Sequence, residues 1–167
     1  MVEDIYGKSD NAAPIVEAHR GDSSNAPENT LAAFRAAVEL KARWIELDVH
    51  PTRDGALIVM HDDTVDRTTD GSGAIAALTL EEISRLDAGS WFDARFAGER
   101  VPQLRDVFDL VAPTATRINI EIKAAPPGLN VTRGVVELLR AYGKEREYVV
   151  SSFDLAALLE VQAAAPE

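Results

Sequence analysis

The chain has 167 residues, of which 46% are apolar and 27% are charged, and its net charge is −11 at pH 7. This composition is that of one globular domain. The negative net charge excludes general nucleic-acid binding, which needs a basic surface. The absence of cysteine excludes disulfides and thiolate metal sites. No segment approaches the ~20 apolar residues of a membrane span, and the polar start lacks a signal-peptide core, so we expect a cytoplasmic protein without stable membrane insertion.

Short apolar runs alternate with amphipathic segments along the chain, after a polar stretch at 1–13 that predicts a flexible leader. Four apolar runs predict strands at 15–18, 44–49, 117–122 and 148–151. Helical spacing and capping signals predict helices that begin after Asn29 or Thr30 and that lie at about 80–86, 104–111, 131–142 and 155–164. Strands that alternate with helices indicate an α/β fold with a parallel sheet.

One connection departs from this alternation. Only a turn signal separates the strand at 44–49 from the apolar run at 57–60, and this gap is too short for a crossover helix. We therefore predict an antiparallel hairpin. The two registers that we consider place His61 opposite Glu46 or opposite Asp48, so that His61 lies on the carboxylate side in either case.

Polar side chains lie within these strands or directly after them. Glu46 and Asp48 are two residues apart and point to one face of their strand, and Asn119, Glu121 and Lys123 alternate in the same way. Such polar faces would meet inside a barrel or at the carboxyl end of a sheet, where ligands bind. Because burying an unpaired charge is costly, one shared metal and phosphate site would satisfy all of these groups.

The charges of this residue set balance around a metal ion and a phosphate. Three carboxylates without thiols, Glu46, Asp48 and Glu121, favour a hard divalent cation, Ca²⁺ or Mg²⁺. Together with Arg20 and Lys123, such a cation would exceed the carboxylates by one positive charge, which leaves room for one phosphodiester anion. Arginine offers phosphate a planar fork, and lysine offers a point charge.

Two of the three histidines follow apolar strands directly. His19 and His61 near a phosphate would be suited to general acid and general base roles. His50 lies beside the turn, and we interpret it as structural or solvent-exposed. Glu17 shares a face with His19 and could either orient that histidine or be paired elsewhere.

The candidate metal, phosphate-binding and acid–base residues lie in motifs that resemble those of the glycerophosphodiester phosphodiesterase family. The resemblance runs from about Pro14 to about Phe153. The motifs are Ala18-His19-Arg20-Gly21, Pro27-Glu28-Asn29-Thr30, Ile45-Glu46-Leu47-Asp48-Val49, Thr52-Arg53-Asp54-Gly55, Met60-His61-Asp62, Thr68-Thr69-Asp70-Gly71-Ser72-Gly73, Gly89-Ser90-Trp91-Phe92, Val101-Pro102-Gln103-Leu104 and Asn119-Ile120-Glu121-Ile122-Lys123. So many motifs in the family's order make the resemblance specific.

The resemblance implies a partial barrel domain over 14–167. A complete TIM-type (β/α) barrel needs about 250 residues, so we expect an incomplete one, with about four of eight barrel strands, the hairpin, and an insertion at about 63–98 after the second strand. Such a sheet would have two open edges, through which the chain could self-associate, and would expose Leu57, Val59 and Trp44.

The resemblance also implies an activity, the metal-dependent hydrolysis of a small-molecule glycerophosphodiester to glycerol 3-phosphate and an alcohol. It implies metal ligands at Glu46, Asp48 and Glu121, acid–base histidines at His19 and His61, and phosphate contacts from Arg20 and Lys123. Two alternatives stay open. One is a catalytically inactive truncated half-barrel or interaction fragment, and the other is a phospholipase D-like or phosphoinositide-type lyase that would release a cyclic phosphate.

Overall fold

The computed structural model describes residues 15–165, so the leader predicted at 1–13 lies outside the described residues. The strands are β1 (Glu17–His19), β2 (Trp44–Pro51), β3 (Leu57–Val59), β4 (Arg117–Ile122) and β5 (Val149–Ser151). The helices are α1 (Leu31–Glu39), α2 (Leu80–Ile83), α3 (Leu104–Val111), α4 (Val131–Tyr142) and α5 (Leu155–Ala164), with 3₁₀ helices at Ile75–Ala77 and Ala94–Phe96. Within 15–165, no helix combines the length and apolar character needed to cross a bilayer.

The strands form one sheet in which four are parallel, in the order β1-β2-β4-β5. The fifth strand, β3, pairs with β2 in the antiparallel direction. Because helices follow β1, β4 and β5, and α3 precedes β4, the parallel strands are joined by crossovers as the alternating pattern predicts. Within the described residues the sheet is open, with β1 and β5 at its edges.

The predicted hairpin is confirmed, but its predicted register is wrong. Val49 pairs with Val59, so the loop between β2 and β3 contains five residues rather than an even number. The Thr52 N–H donates to the carbonyl of Ala56 at 2.9 Å, and Gly55 adopts a φ of +81°, which lets the loop accommodate the additional residue. His61 therefore lies in the bend after β3 rather than opposite Glu46 or Asp48.

The apolar core lies on one face of the two central strands. Side chains of β2 and β4 that alternate with the polar ones are fully buried against α1, α3 and α4. The residues concerned are Ile45, Leu47, Val49, Ile118, Ile120 and Ile122. Burial of this face fixes which side chains point to the other face, because successive residues of a strand alternate.

A second, smaller core holds the segment between β3 and α3. Ile58 and Met60 at the end of the hairpin pack with Val65, Ile75 and other buried residues of this segment. Within the segment, α2 ends at Ile83, three residues earlier than predicted, because the chain continues there in tighter turns with i→i+3 hydrogen bonds. This second core supports the loop that follows β3 and carries His61.

Thr30 is the N-cap of α1. Its Oγ1 accepts a hydrogen bond from the Ala33 N–H at 3.3 Å and donates one to the carbonyl of Pro27 at 2.7 Å. We expect Thr30→Ala to lower the free energy of unfolding by about 1 kcal/mol, the usual effect of losing such a cap. Urea denaturation followed by circular dichroism measures this, and an unchanged midpoint would contradict the assignment of Thr30 as the stabilising cap.

Leu57, which was expected to be exposed, is partly buried against the main core, and the expected exposure of Trp44 and Val59 is wrong. Both side chains are buried, Val59 in the main core and Trp44 beneath the guanidinium of Arg117, which lies 5.6 Å from the ring centre. The apolar side chains that are exposed near the two sheet edges come instead from the flanking helices and loops. They are Val16, Leu40, Phe153, Leu155 and Leu159.

Candidate functional site

The register of the parallel strands brings the predicted carboxylates together. β1 and β2 pair His19 with Glu46, and β2 and β4 pair Glu46 with Asn119 and Asp48 with Glu121. Because paired residues of neighbouring strands point to the same face, these five side chains line one side of the sheet. The backbone therefore positions the polar set independently of any contact among the side chains.

Glu46, Asp48 and Glu121 form a compact carboxylate cluster. Each offers an oxygen, and these oxygens all lie within 4.8 Å of one another. The side chain of Asp48 is 1% exposed and that of Glu46 is 7% exposed. Burial and the charge of Asp48 raise the pKa of Glu46 to about 7, so its ionisation is costly without a nearby cation.

The cluster fits a hard divalent cation. Among the described residues, the buried Oε1 of Glu46 has no hydrogen-bond donor. A buried carboxylate oxygen without a donor is unfavourable, and a cation would compensate it. The donor set, three carboxylates without sulfur or imidazole, is the kind that Ca²⁺ and Mg²⁺ prefer.

Both predicted phosphate-binding cations contact this cluster. Lys123 places Nζ 2.8 Å from Asp48 Oδ1 and also contacts Glu121. Arg20 places Nε 3.4 Å from Asp48 Oδ2, and its backbone N–H donates to Glu46 Oε2 at 3.1 Å. Burial lowers the pKa of Lys123, but hydrogen bonds to Asp48 and Glu121 outweigh burial and raise it, so Lys123 is charged.

The position of Arg20 depends on an unusual backbone at the end of β1. Arg20 and Gly21 have φ values of +58° and +81°, in the left-handed region. A Cβ at Gly21 would lie 2.7 Å from the carbonyl carbon of Ala33 in α1, so only glycine permits this approach. The Arg20-Gly21 turn therefore sets the arginine against the carboxylates while α1 packs closely behind it.

The two predicted acid–base histidines contact different carboxylates. The His19 side chain is 66% exposed, with Nε2 3.8 Å from Glu46 Oε2. The His61 side chain is 36% exposed, and its Nδ1 lies 2.7 Å from Asp62 Oδ1. His19 thus approaches the carboxylate cluster directly, and His61 borders a small cavity that it shares with Glu28 and Asn29.

The interpretation of His50 as structural is favoured over the solvent-exposed one. His50 is 4% exposed, and its Nε2 lies 3.2 Å from the carbonyl oxygen of His61. Burial lowers the pKa of His50, so the ring is neutral and can donate its Nε2–H to that carbonyl. His50 therefore holds the backbone at His61.

Glu17, which the sequence analysis placed on the same face as His19, is exposed.

Sequence analysis missed two residues of the site. Asn29 was considered as a helix cap and quoted in the Pro27-Glu28-Asn29-Thr30 motif without a site role, but its Nδ2 donates to Asp48 Oδ2 at 2.9 Å. Glu28 accepts a hydrogen bond from Arg20 Nη1 at 2.9 Å. Asn29 has a φ of +57°, and asparagine directly before a capping threonine is a signal that could have indicated a special backbone position.

Comparisons with known proteins show which family this chain is similar to. A family model described as the Glycerophosphoryl diester phosphodiesterase family matches residues 19–167. A glycerophosphodiester phosphodiesterase of Caldanaerobacter subterraneus subsp. tengcongensis is 48% identical, over 91% of this chain and 63% of the relative. A glycerophosphodiester phosphodiesterase of Bacillus subtilis is 37% identical, over 91% of this chain and 56% of the relative.

Solved structures resemble the fold closely. A glycerophosphodiester phosphodiesterase from Agrobacterium tumefaciens superposes with a TM-score of 0.83 at 39% identity, covering 90% of this chain and 62% of that one. An Oleispira antarctica phosphodiesterase in complex with the product sn-glycerol-3-phosphate superposes with a TM-score of 0.86 at 36% identity, covering 92% of this chain and 63% of that one. This chain thus spans less than two thirds of the length of these proteins. The predicted incomplete TIM-type fold is confirmed, as an open sheet with four parallel strands.

Proposed function

Because the chain belongs to the glycerophosphoryl diester phosphodiesterase family, we propose that it carries the metal and phosphate site of an enzyme that hydrolyses glycerophosphodiesters to glycerol 3-phosphate and an alcohol. The observation that supports this most directly is the carboxylate cluster of Glu46, Asp48 and Glu121 with Arg20 and Lys123 in contact. The solved relative in complex with sn-glycerol-3-phosphate is consistent with this class of substrate.

In this proposal Glu46, Asp48 and Glu121 hold one divalent cation, Ca²⁺ or Mg²⁺. Such a cation would neutralise charge on the phosphoryl oxygens when it is bound. The burial of Asp48 and Glu46 limits competition by water for the same carboxylate oxygens. The raised pKa of Glu46 is consistent with a group that ionises fully only beside a cation.

Arg20 and Lys123 would bind the phosphate of the substrate. The buried Nε of Arg20 has an ionic contact with Asp48 but no hydrogen-bond acceptor in the described part of the chain. This N–H is therefore free to donate to a phosphate oxygen. Lys123 lies across Asp48 from Arg20, so the two cations could contact different oxygens of one phosphate.

His19 and His61 would exchange the protons of the reaction. One imidazole would accept the proton of the attacking glycerol hydroxyl while the new P–O bond forms, and the other would donate a proton to the leaving alcohol oxygen as its P–O bond breaks. Attack by the neighbouring glycerol hydroxyl would thus give a cyclic phosphate. Water would then open this cyclic phosphate, with the two imidazoles exchanging protons in the reverse direction. The exposure of both rings leaves them accessible to a substrate.

The test is a product analysis with the purified chain. The chain is incubated with a glycerophosphodiester of a simple alcohol such as ethanol, with Ca²⁺ or Mg²⁺, and the products are followed by phosphorus NMR. Glycerol 3-phosphate as the final product supports the proposal, and a cyclic phosphate that accumulates without opening supports the lyase alternative. The absence of either product in the presence of both cations contradicts an activity of this chain and favours the inactive half-barrel.

The open sheet edges support a proposal of self-association. β1 and β5 have one sheet neighbour each, and exposed apolar side chains flank them, most of all Phe153, which is 97% exposed. We expect the 167-residue chain to form dimers or larger species, as measured by light scattering across a dilution series. Leu159→Glu should lower the average molar mass measured by light scattering. Glu137→Gln, on an exposed face of α4, should leave that mass unchanged. A monomer at all concentrations would contradict this expectation.

A further inference from the structure

Arg67 bridges two carboxylates that lead to different parts of the candidate site. Its Nε and Nη2 donate to the two carboxylate oxygens of Asp62 at 2.7 and 3.0 Å. Its Nη1 and Nη2 donate to the two oxygens of Glu28 at 3.0 and 2.8 Å. One guanidinium therefore makes two bidentate pairs, an arrangement that fixes the orientation of both partners as well as attracting them.

The first partner leads to His61. Asp62 Oδ1, which accepts from Arg67, also lies 2.7 Å from His61 Nδ1. A carboxylate behind an imidazole holds the proton on Nδ1 and fixes the ring, which leaves Nε2 to exchange a proton on the opposite side. Hydrogen bonds from Arg67 hold the pKa of Asp62 well below its usual range, so this carboxylate stays ionised.

The second partner leads to the phosphate-binding cation. Glu28 Oε1 accepts from Arg67 Nη2 and also from Arg20 Nη1, at 2.9 Å. Arg20 in turn contacts Asp48 in the carboxylate cluster. Burial would raise the pKa of Glu28, but the hydrogen bonds and charges of Arg67 and Arg20 outweigh it and lower the pKa, so Glu28 also stays ionised.

The backbone that presents Arg67 is itself fixed. Val65, two residues earlier, is fully buried, and its N–H donates to the carbonyl of Gly73 at 3.0 Å. Thr69, two residues later, is buried, and its hydroxyl donates to the carbonyl of Val65 at 2.6 Å. Isolated surface ion pairs contribute little, but a bidentate network on an ordered turn is the recognised exception.

We propose that Arg67 is a positioning residue that holds the imidazole of His61 and the guanidinium of Arg20 in a fixed relation to each other, through Asp62 and Glu28. The consequence is that a proton-exchanging group and a phosphate-binding group face the same substrate from fixed positions. The inference rests on the proposed function for its catalytic meaning. The geometric part, the orientation of His61 by Arg67, can be measured without any activity.

The first experiment follows the imidazole nitrogens of the full chain by NMR. The chain has three histidines, so the spectrum is simple, and a His61→Gln variant assigns the signals of His61. The wild-type signals should report a predominant Nδ1–H form of His61. Arg67→Gln should shift the His61 signals toward a mixture of the two tautomers, and Arg67→Lys should give signals between those of wild type and Arg67→Gln. Arg85→Gln, which removes an exposed ion pair with Glu81, should leave the His61 signals unchanged.

The buried His50 provides a control for folding. Its imidazole signals should be the same in wild type and in the Arg67 and Arg85 variants if the fold around His50 is retained. Unchanged His61 signals in a folded Arg67→Gln variant would overturn the proposal. Were Arg67→Gln to fail to fold, Arg67→Lys with a wild-type His61 spectrum would overturn it equally, since lysine keeps the charge but lacks the bidentate fork.

The second experiment separates the two partners of Arg67 kinetically, with the glycerophosphodiester of ethanol as substrate. Asp62→Asn should lower kcat with a small change in KM, and Glu28→Gln should mainly raise KM. Arg67→Gln should do both, with a loss in kcat of about 10- to 100-fold, as when a hydrogen-bond partner behind a reactive ligand is lost. Equal kinetics for wild type and Arg67→Gln would overturn the proposal. An inactive wild type would instead refute the proposed function, and the NMR result alone would then decide the role of Arg67.

Discussion

Replacement of Asp48 by asparagine is expected to weaken the binding of Ca²⁺ or Mg²⁺ by about 100-fold or more and to abolish hydrolysis. Asp48 is buried, lies within the carboxylate cluster, and contacts Lys123, Arg20 and Asn29. Mutation of a residue that only supports a metal ligand typically costs about 10- to 100-fold in metal affinity, so loss of a ligand carboxylate itself should cost about 100-fold or more. Asparagine has nearly the same shape, so the change removes charge rather than volume.

Calorimetric titration of the chain with each cation measures this effect directly, without requiring activity. Glu46→Gln should behave like Asp48→Asn, because its Oε1 has no other hydrogen-bond donor among the described residues. Glu137→Gln, which removes an exposed carboxylate paired with Arg133 on α4, is the matched control and should bind the cations as wild type does. Wild-type affinity in both site variants would show that the cluster is not the cation site.

Alanine at His19 or His61 is expected to slow hydrolysis by about 10²- to 10⁴-fold, the usual contribution of positioned proton transfer. Both side chains are partly exposed, and neither is part of the apolar core, so the free energy of unfolding should change little. Single-turnover rates with the glycerophosphodiester of ethanol, together with cation titrations, would show a lost rate with retained cation binding. A wild-type rate in either variant would remove that histidine from the reaction.

His50 gives the contrasting result that tests this assignment. Because His50 is buried and bonded to the carbonyl of His61, His50→Ala should lower stability as well as the rate. Denaturant titrations of the three alanine variants would therefore separate the histidine that supports the backbone from the two that exchange protons. Equal stability losses in all three would contradict this separation.

The sheet could be predicted because its signals are local. Ile118, Ile120 and Ile122 alternate with Asn119 and Glu121, and burial of the isoleucines against helices requires that the polar residues face the other side. The same pattern in β2 explains why the carboxylates could be grouped correctly from their spacing alone. Local spacing also located most helices, since their caps and apolar stripes lie within a few residues.

Other features could not be predicted because they depend on distant segments or on loop conformation. The register of the hairpin was wrong because Gly55 allows a five-residue loop, a difference that strand patterns do not encode. The proposed roles of Glu28 and Arg67 depend on a hydrogen bond between residues 39 positions apart. In the sequence alone, an acidic residue beside a turn suggests only a solvated surface. Their chemistry emerges only when the loops after β1 and β3 lie side by side.

The alternation of β2 makes this strand intolerant of a particular kind of genetic change. Substitutions at Ile45 or Leu47 by other apolar residues keep the phase of the strand, so the carboxylates remain where they are. Deletion of one codon before Glu46 would exchange the two faces, turning the carboxylates toward the helices and the aliphatic side chains toward the proposed phosphate site. We therefore expect this strand to accept many missense changes but no single-residue insertion or deletion, as a deletion scan selected for folding would reveal.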